Sequence, residues 1–129
     1  MQVVKQLSVF LANKPGVLAR LCGELAAKGI NLQGISISDT VDHAVIRLLP
    51  SDPARALALL ESAGQLVVET DVLAVPLPDR PGELAKLAAK LAKANVNIEY
   101  AYGTVQDSTA LLVLRVSDIR KAAKALKSK

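Results

Sequence analysis

Two periods of apolar spacing alternate along the chain. Leu7, Val9 and Leu11 alternate with Gln6, Ser8 and Phe10, so residues 3–12 read as a strand. Val17, Leu18, Leu21, Cys22 and Leu25 then recur at helical spacing, which gives a helix one apolar stripe. Pro15 is expected at the first helical position, and Gly29 ends the helix. A second strand is expected from Ile30. Ile30 and Leu32 share one parity while Ile35 and Ile37 have the other, so the phase slips and a bulge is expected at Gly34. Residues 39–42 form a polar turn and residues 43–49 a third strand. Ser51-Asp52-Pro53 is a cap followed by Pro, the start of a second helix with Leu57, Leu60 and Ala63 on its apolar side and Gly64 at its end. Residues 66–69 read as a short fourth strand.

The pattern then starts again, 66 residues on and without a gap. Residues 13–32 carry Asn-Lys-Pro-Gly-Val-Leu-Ala-Arg-Leu, and residues 79–98 carry Asp-Arg-Pro-Gly-Glu-Leu-Ala-Lys-Leu. Pro15 maps on Pro81, Gly16 on Gly82, Leu21 on Leu87, Leu25 on Leu91 and Asn31 on Asn97. Gly29 maps on Asn95, and these are the two residue types that best tolerate a left-handed helix end. The second repeat has a strand at 71–77 with no linker before it, a helix at 82–94, strands at 96–105 and 109–116, and a helix from Ser117-Asp118 that carries Ile119, Ala122, Ala123 and Leu126.

Each repeat runs strand, helix, strand, strand, helix, and the first adds a final strand. With right-handed crossovers this is an α+β, ferredoxin-like arrangement: antiparallel sheets with both helices on one face. The expected domains are residues 1–70 and 71–129. The second repeat reaches Lys129 without its last strand. Residues 72–77, with Pro76 among them, should therefore be a sheet edge that a partner chain or the first repeat covers. Residues 111–114 are apolar on both parities, and Tyr100 and Tyr102 share a face. The helix-free face of the second repeat is thus expected to be buried in a homodimer, and that of the first, with Arg47, to be wetter.

Composition changes this picture little. Of 129 residues 51% are apolar, yet Phe10, Tyr100 and Tyr102 are the only aromatics, so the core must be aliphatic. The net charge of +4 is concentrated from Arg115 onward and reads as a solvated terminal helix, not a nucleic-acid footprint. An RNA-binding reading would need exposed aromatics on the sheet, and only Tyr100 and Tyr102 could serve. Cys22 is alone, which excludes a disulfide framework, and should pack as a small hydrophobe. There is no apolar run of about 18 residues and no leader, so a cytoplasmic protein is expected. Phosphate-loop, dinucleotide and zinc motifs are missing, and Asp39 and Asp42 are too few for a calcium loop. A small enzyme would rest on His43 or Cys22, which stand in no catalytic spacing.

The two Pro-Gly turns carry the candidate chemistry. A helix N-terminus offers free N–H groups and partial positive charge to an anion such as a carboxylate. Gly16 and Gly82 leave the backbone uncovered, and Asn31 and Asn97 carry amides that both donate and accept. Two readings stand side by side: a ligand turn, or a Pro-Gly that only shapes the chain with an Asn that only caps it.

At these residues the chain resembles the ACT domain family, and as a whole it is similar to small stand-alone proteins of two ACT repeats. The resemblance implies ferredoxin-like βαββαβ units that pair, with an amino acid held where units meet. It implies contacts from the turn after the first strand and from the start of the second. These are Asn13, Lys14, Gly16, Val17, Leu18, Asn31 and Leu32, and in the second repeat Asp79, Arg80, Gly82, Glu83, Leu84, Asn97 and Ile98. Asp79 and Glu83 make the second turn acidic, which favours the first as the anion site. The expected protein is not an enzyme, needs no metal or cofactor, and acts in trans on a metabolic enzyme or regulator.

Overall fold

The structure, a computed structural model, describes residues 1–12, 14–39, 43–106 and 108–127. Its elements in order are β1 (Gln2–Ala12), α1 (Val17–Ala27), β2 (Leu32–Asp39), β3 (His43–Pro50), α2 (Pro53–Ser62), β4 (Leu66–Pro78), α3 (Glu83–Lys93), β5 (Ile98–Gln106), β6 (Thr109–Val116) and α4 (Ile119–Lys127). They form two compact units, Lys5–Thr70 and Asp71–Lys129, the latter including Met1–Val4.

The first unit has the strand order β2-β3-β1-β4 of the ferredoxin-like fold. Leu7 faces Leu48, Val9 faces Ile46 and Leu11 faces Ala44 across β1 and β3. This row meets Leu21 and Leu25 of α1 and Ala56 and Leu60 of α2 in one aliphatic core. Fully burying a side chain such as Leu25 or Leu60 contributes about 1.5–3 kcal/mol. The bulge falls between Leu32 and Gly34, as expected. A Cβ on Gly34 would come within 2.9 Å of Leu49 Cδ1, so a larger residue there would require the Leu49 side chain to shift. An equivalent irregularity lies between Ile98 and Tyr100.

Helix boundaries follow local chemistry. Pro15 is not the first helical residue: it stands in the turn, and Gly16 caps α1 with φ of 87°. Gly82 caps α3 in the same way with φ of 90°. Both helices end as the repeat implies, with Gly29 at φ 72° and Asn95 at φ 59°. Ile30 N–H then donates to Leu25 O at 3.0 Å, and Val96 N–H to Leu91 O at 2.8 Å. These bonds keep Ile30 and Val96 in the helix-end motif, so the strands begin two residues later than the apolar pattern implies. Asp52 caps α2, accepting from Arg55 N–H at 3.2 Å, and Asp118 accepts from Lys121 N–H at 3.0 Å. Ala63 is the exposed C-cap of α2 and not part of its apolar side.

The second unit has the order β1-β4-β6-β5. One long β4 covers both strands expected at 66–69 and 71–77. The start of β1 belongs to this unit, and Met1 packs against the second core, with Leu73, Val75, Leu87, Leu91 and Leu114. Residues 2–4 of β1 therefore flank β4 in this unit. Val72, Leu73 and Val75 are buried without a partner chain.

Within the single chain the two helix-free faces differ in what they bury. Leu112 and Leu114 share the helix side with Val75 and Leu73. On the other side Val113 is buried at 3% exposure, but Leu111 remains 38% exposed. In the first unit Gln6 and Ser8 are buried, not wet, and Gln6 Nε2 donates to Ser8 Oγ at 3.2 Å. Arg47 Nη1 donates to Ser38 Oγ at 3.0 Å.

Candidate functional site

The turn after β1 is built by three backbone bonds. Lys14 N–H donates to Ala12 O at 3.1 Å, Val17 N–H to Lys14 O at 3.3 Å, and Arg20 N–H to Gly16 O at 3.0 Å. The turn after β4 repeats them: Arg80 to Pro78 at 3.0 Å, Glu83 to Arg80 at 3.3 Å, and Lys86 to Gly82 at 3.0 Å. A Cβ on Gly16 or Gly82 would meet nothing within 4 Å, so both turns are open above the backbone. Among the described residues no side chain caps α1 or α3. Asn13 lies outside the described residues.

The turns differ in charge. Lys14 is exposed, and Val17 and Leu18 are half-buried against the first core. In the second turn Glu83 is the first residue of α3, with its side chain only 16% exposed. Its Oε1 accepts from Arg80 Nη2 at 3.2 Å and lies 3.6 Å from Lys86 Nζ. A carboxylate of the protein already stands at that helix start, where an anionic ligand would be favoured. Asp79 is exposed beside it, and its N–H donates to Ser108 O at 2.9 Å. Leu84 is 56% exposed.

Asn31 and Asn97 are held by partners that the sequence reading assigned only to helix starts. Asn31 N–H donates to Ser51 Oγ at 3.0 Å, and Ser51 N–H to Asn31 O at 2.8 Å. Asn97 and Ser117 make the same two bonds, each at 2.9 Å. Ser51 and Ser117 are themselves 66 residues apart, and that spacing was the available signal. Both Asn residues are exposed, and Leu32 and Ile98 are half-buried against the two cores.

Within one unit the structure does not bring turn and Asn together. Ala12, at the turn, faces His43 at one end of β3, while Leu32 faces Pro50 at the other. An eight-residue strand at about 3.3 Å per residue separates them by roughly 20 Å. In the second unit Pro78 faces Thr109 and Ile98 faces Val116, so the separation is the same. The reason is topological, because α1 and α3 each carry the chain from one end of the sheet to the other.

Beside each turn lies a groove. The first holds about 570 Å³ and runs between α1, the end of β1 and the α2–β4 connection. The second holds about 280 Å³ along α3. Among the described residues no group of three or more His, Cys, Asp or Glu could hold a metal ion, and no helix is long and apolar enough to cross a membrane. His43 is exposed at the start of β3, and Cys22 is a half-buried free thiol. Tyr100 and Tyr102, half-buried, face Arg115 and Val113 on β6.

Two ferredoxin-like units in tandem, each opening on a glycine-capped helix, define a duplicated α+β module. The chain belongs to the ACT domain pair family, whose model matches residues 1–129. Among solved structures it is similar to protein BT0572 from Bacteroides thetaiotaomicron, with 38% identity over 97% of this chain and 87% of that one and a TM-score of 0.93. The regulatory subunit of aspartate kinase from Thermus thermophilus, in its ligand-free form, shares the fold at 18% identity and a TM-score of 0.73, over 98% and 96% of the two chains. The regulatory subunit from Thermus flavus does so at 20% identity and 0.68, over 98% and 90%. No curated protein sequence matches the chain significantly.

Proposed function

We propose that this is a non-catalytic, cytoplasmic regulatory protein that binds an amino acid and acts in trans on a metabolic enzyme or regulator. Family membership supports small-molecule-dependent regulation, and the observation that carries the reading to this chain is the first turn. There a helix start that no side chain among the described residues caps, an exposed Lys14 and open space over Gly16 coincide. A carboxylate placed there would meet N–H donors and positive charge together. The second turn, with Glu83 at the helix start, is the weaker anion site.

Asn13, Gly16, Val17 and Leu18 act with Lys14 in this reading. Asn31 and Leu32 are too far from that turn within their own unit. Asn31 or Asn97 contributes only where a turn of one module meets a strand start of another, and a homodimer supplies such meetings. Asp79, Arg80, Gly82, Glu83 and Leu84 form the corresponding set of the second repeat, and Ile98, like Leu32, lies too far from the turn of its own unit.

A thermal-shift screen of the twenty amino acids tests the reading. Ligand at ~100 times its Kd adds about 2.7 kcal/mol of stability. Lys14→Glu should remove the shift, and Arg80→Glu should not. Asn31→Ala and Asn97→Ala then show which strand start serves. A screen in which no amino acid raises the melting temperature overturns the proposal.

A further inference from the structure

The net charge of the chain sits in one of its two units. Residues 5–70 hold as many acidic as basic residues, so the net charge of +4 belongs to the second unit. There it lies on the helix layer. α3 and α4 pack together and carry seven Lys or Arg against one acidic residue, Glu83. Lys86, Lys90 and Lys93 recur at helical spacing, so they share one side of α3, and all three are exposed. The exposed residues of α4 are Arg120, Lys121, Lys124 and Lys127, and every one is a cation. Its apolar residues Ile119, Ala122, Ala123 and Leu126 pack against the core.

The fold does not require this charge. The equivalent helices of the first unit, α1 and α2, carry Arg20 and Arg55 against Glu24 and Glu61, so that layer has no net charge. At the offset of 66 residues Glu24 becomes Lys90, Ala27 becomes Lys93, Ala58 becomes Lys124 and Glu61 becomes Lys127. Like charges one turn apart, as in Lys86 and Lys90 or Arg120 and Lys124, oppose helix formation. Arg120 and Lys121 also stand in the first turn of α4, the end at which the helix dipole disfavours cations. An anionic partner laid over the two helices relieves that repulsion. The groove of about 280 Å³ beside α3 adds an apolar element to the same layer. Met1, Pro76, Leu77 and Leu126, none of them fully buried, line it together with Lys86 and Lys90.

We propose that this helix layer docks an acidic segment of the protein on which this one acts, a segment with one apolar side chain among its carboxylates. The carboxylates meet Lys86, Lys90 and the cations of α4, and the apolar side chain enters the groove. A phosphate backbone has nothing apolar to place there, and neither helix carries an aromatic side chain on which a base could stack. A helix that lies on a membrane needs apolar residues beside its cations, and the exposed side of α4 has none. The inference rests on the reading of a regulator that acts in trans, and adds to it the surface used and the chemistry of the partner.

Fluorescence anisotropy on the full chain tests this with a labelled peptide of Glu and Asp around one central Leu. Expected is saturable binding that weakens as salt is raised. Replacing the central Leu by Ser should weaken it about tenfold, as loss of a buried apolar side chain does. The decisive variant combines Lys90→Glu, Lys93→Ala, Lys124→Ala and Lys127→Glu, which installs the residues that the first repeat carries at the equivalent positions. It should weaken the peptide about tenfold or more, whereas Arg20→Glu in the first unit should leave it unchanged. Circular dichroism of each variant checks that it folds. Unchanged affinity in the fourfold variant overturns the proposal, and so does a peptide whose Leu can become Ser without loss. Tighter binding to duplex DNA, or to vesicles of phosphatidylserine and phosphatidylcholine, assigns the layer to a different partner and also overturns it. If an amino acid raises the melting temperature but the peptide does not bind, only this inference falls. If the peptide binds as expected and no amino acid does, the docking layer stands and the amino-acid reading falls.

Discussion

Gly16 and Gly82 hold φ of 87° and 90°, and their surroundings leave room for a side chain. The demand on these residues is thus conformational, not steric. An L-residue in the left-handed region costs roughly 1–2 kcal/mol. Gly16→Ala and Gly82→Ala should each destabilise the protein by about that amount in urea unfolding, with no change in m-value. The opposite end of the same helices gives the converse test. Asn95 at φ 59° stands where the first repeat has Gly29 at φ 72°. Asn95→Gly should be close to neutral, within about 0.5 kcal/mol, and Asn95→Ala should cost about 1 kcal/mol. Equal losses from both substitutions would show that the Asn side chain, not its backbone, matters. This equivalence was legible in the sequence because two residue types with one shared conformational tolerance stood 66 positions apart. The role of Pro15 was not, because Pro is compatible both with a turn and with a first helical turn, and the glycine after it decides between them.

Each helix that follows a third strand is tied down by the same two residues. Ser51 and Ser117 exchange bonds with Asn31 and Asn97, and Asp52 and Asp118 cap the helices. Asp52→Ala and Asp118→Ala should each cost about 1 kcal/mol, the usual loss of an N-cap. Ser51→Ala leaves the Asn31 N–H without its acceptor at an exposed position, so its cost should be smaller. The apolar pattern showed that α2 and α4 exist, and the Ser-Asp pairs showed where they start. It misplaced the starts of β2 and β5. Ile30 and Val96 are buried like strand residues, yet their N–H groups close the preceding helix. Burial alone does not distinguish a residue in a ladder from one that plugs a helix end. Strand parity located the bulge at Gly34, but not its counterpart before Tyr100, where no glycine marks the place.

The flank of β4 in the second unit is where reading by repeat reached its limit. A self-contained repeat needs a strand beyond β4, and the chain supplies one from its own beginning. No local pattern announces this, because Met1–Val4 read simply as the start of β1. The consequence is testable. Met1 packs with Leu73, Val75 and Leu87, and Val72 and Leu73 are fully buried. Deleting residues 2–4 should leave the flank of β4 unpaired, as an edge rich in apolar residues. Amide exchange of residues 72–75 should then rise by an order of magnitude or more, and the protein should aggregate more readily on heating. A truncated chain that keeps full protection at 72–75 would show that β4 is held by β6 and the helix layer alone. A truncated chain that keeps protection only at high protein concentration would show that a second copy replaces the lost strand.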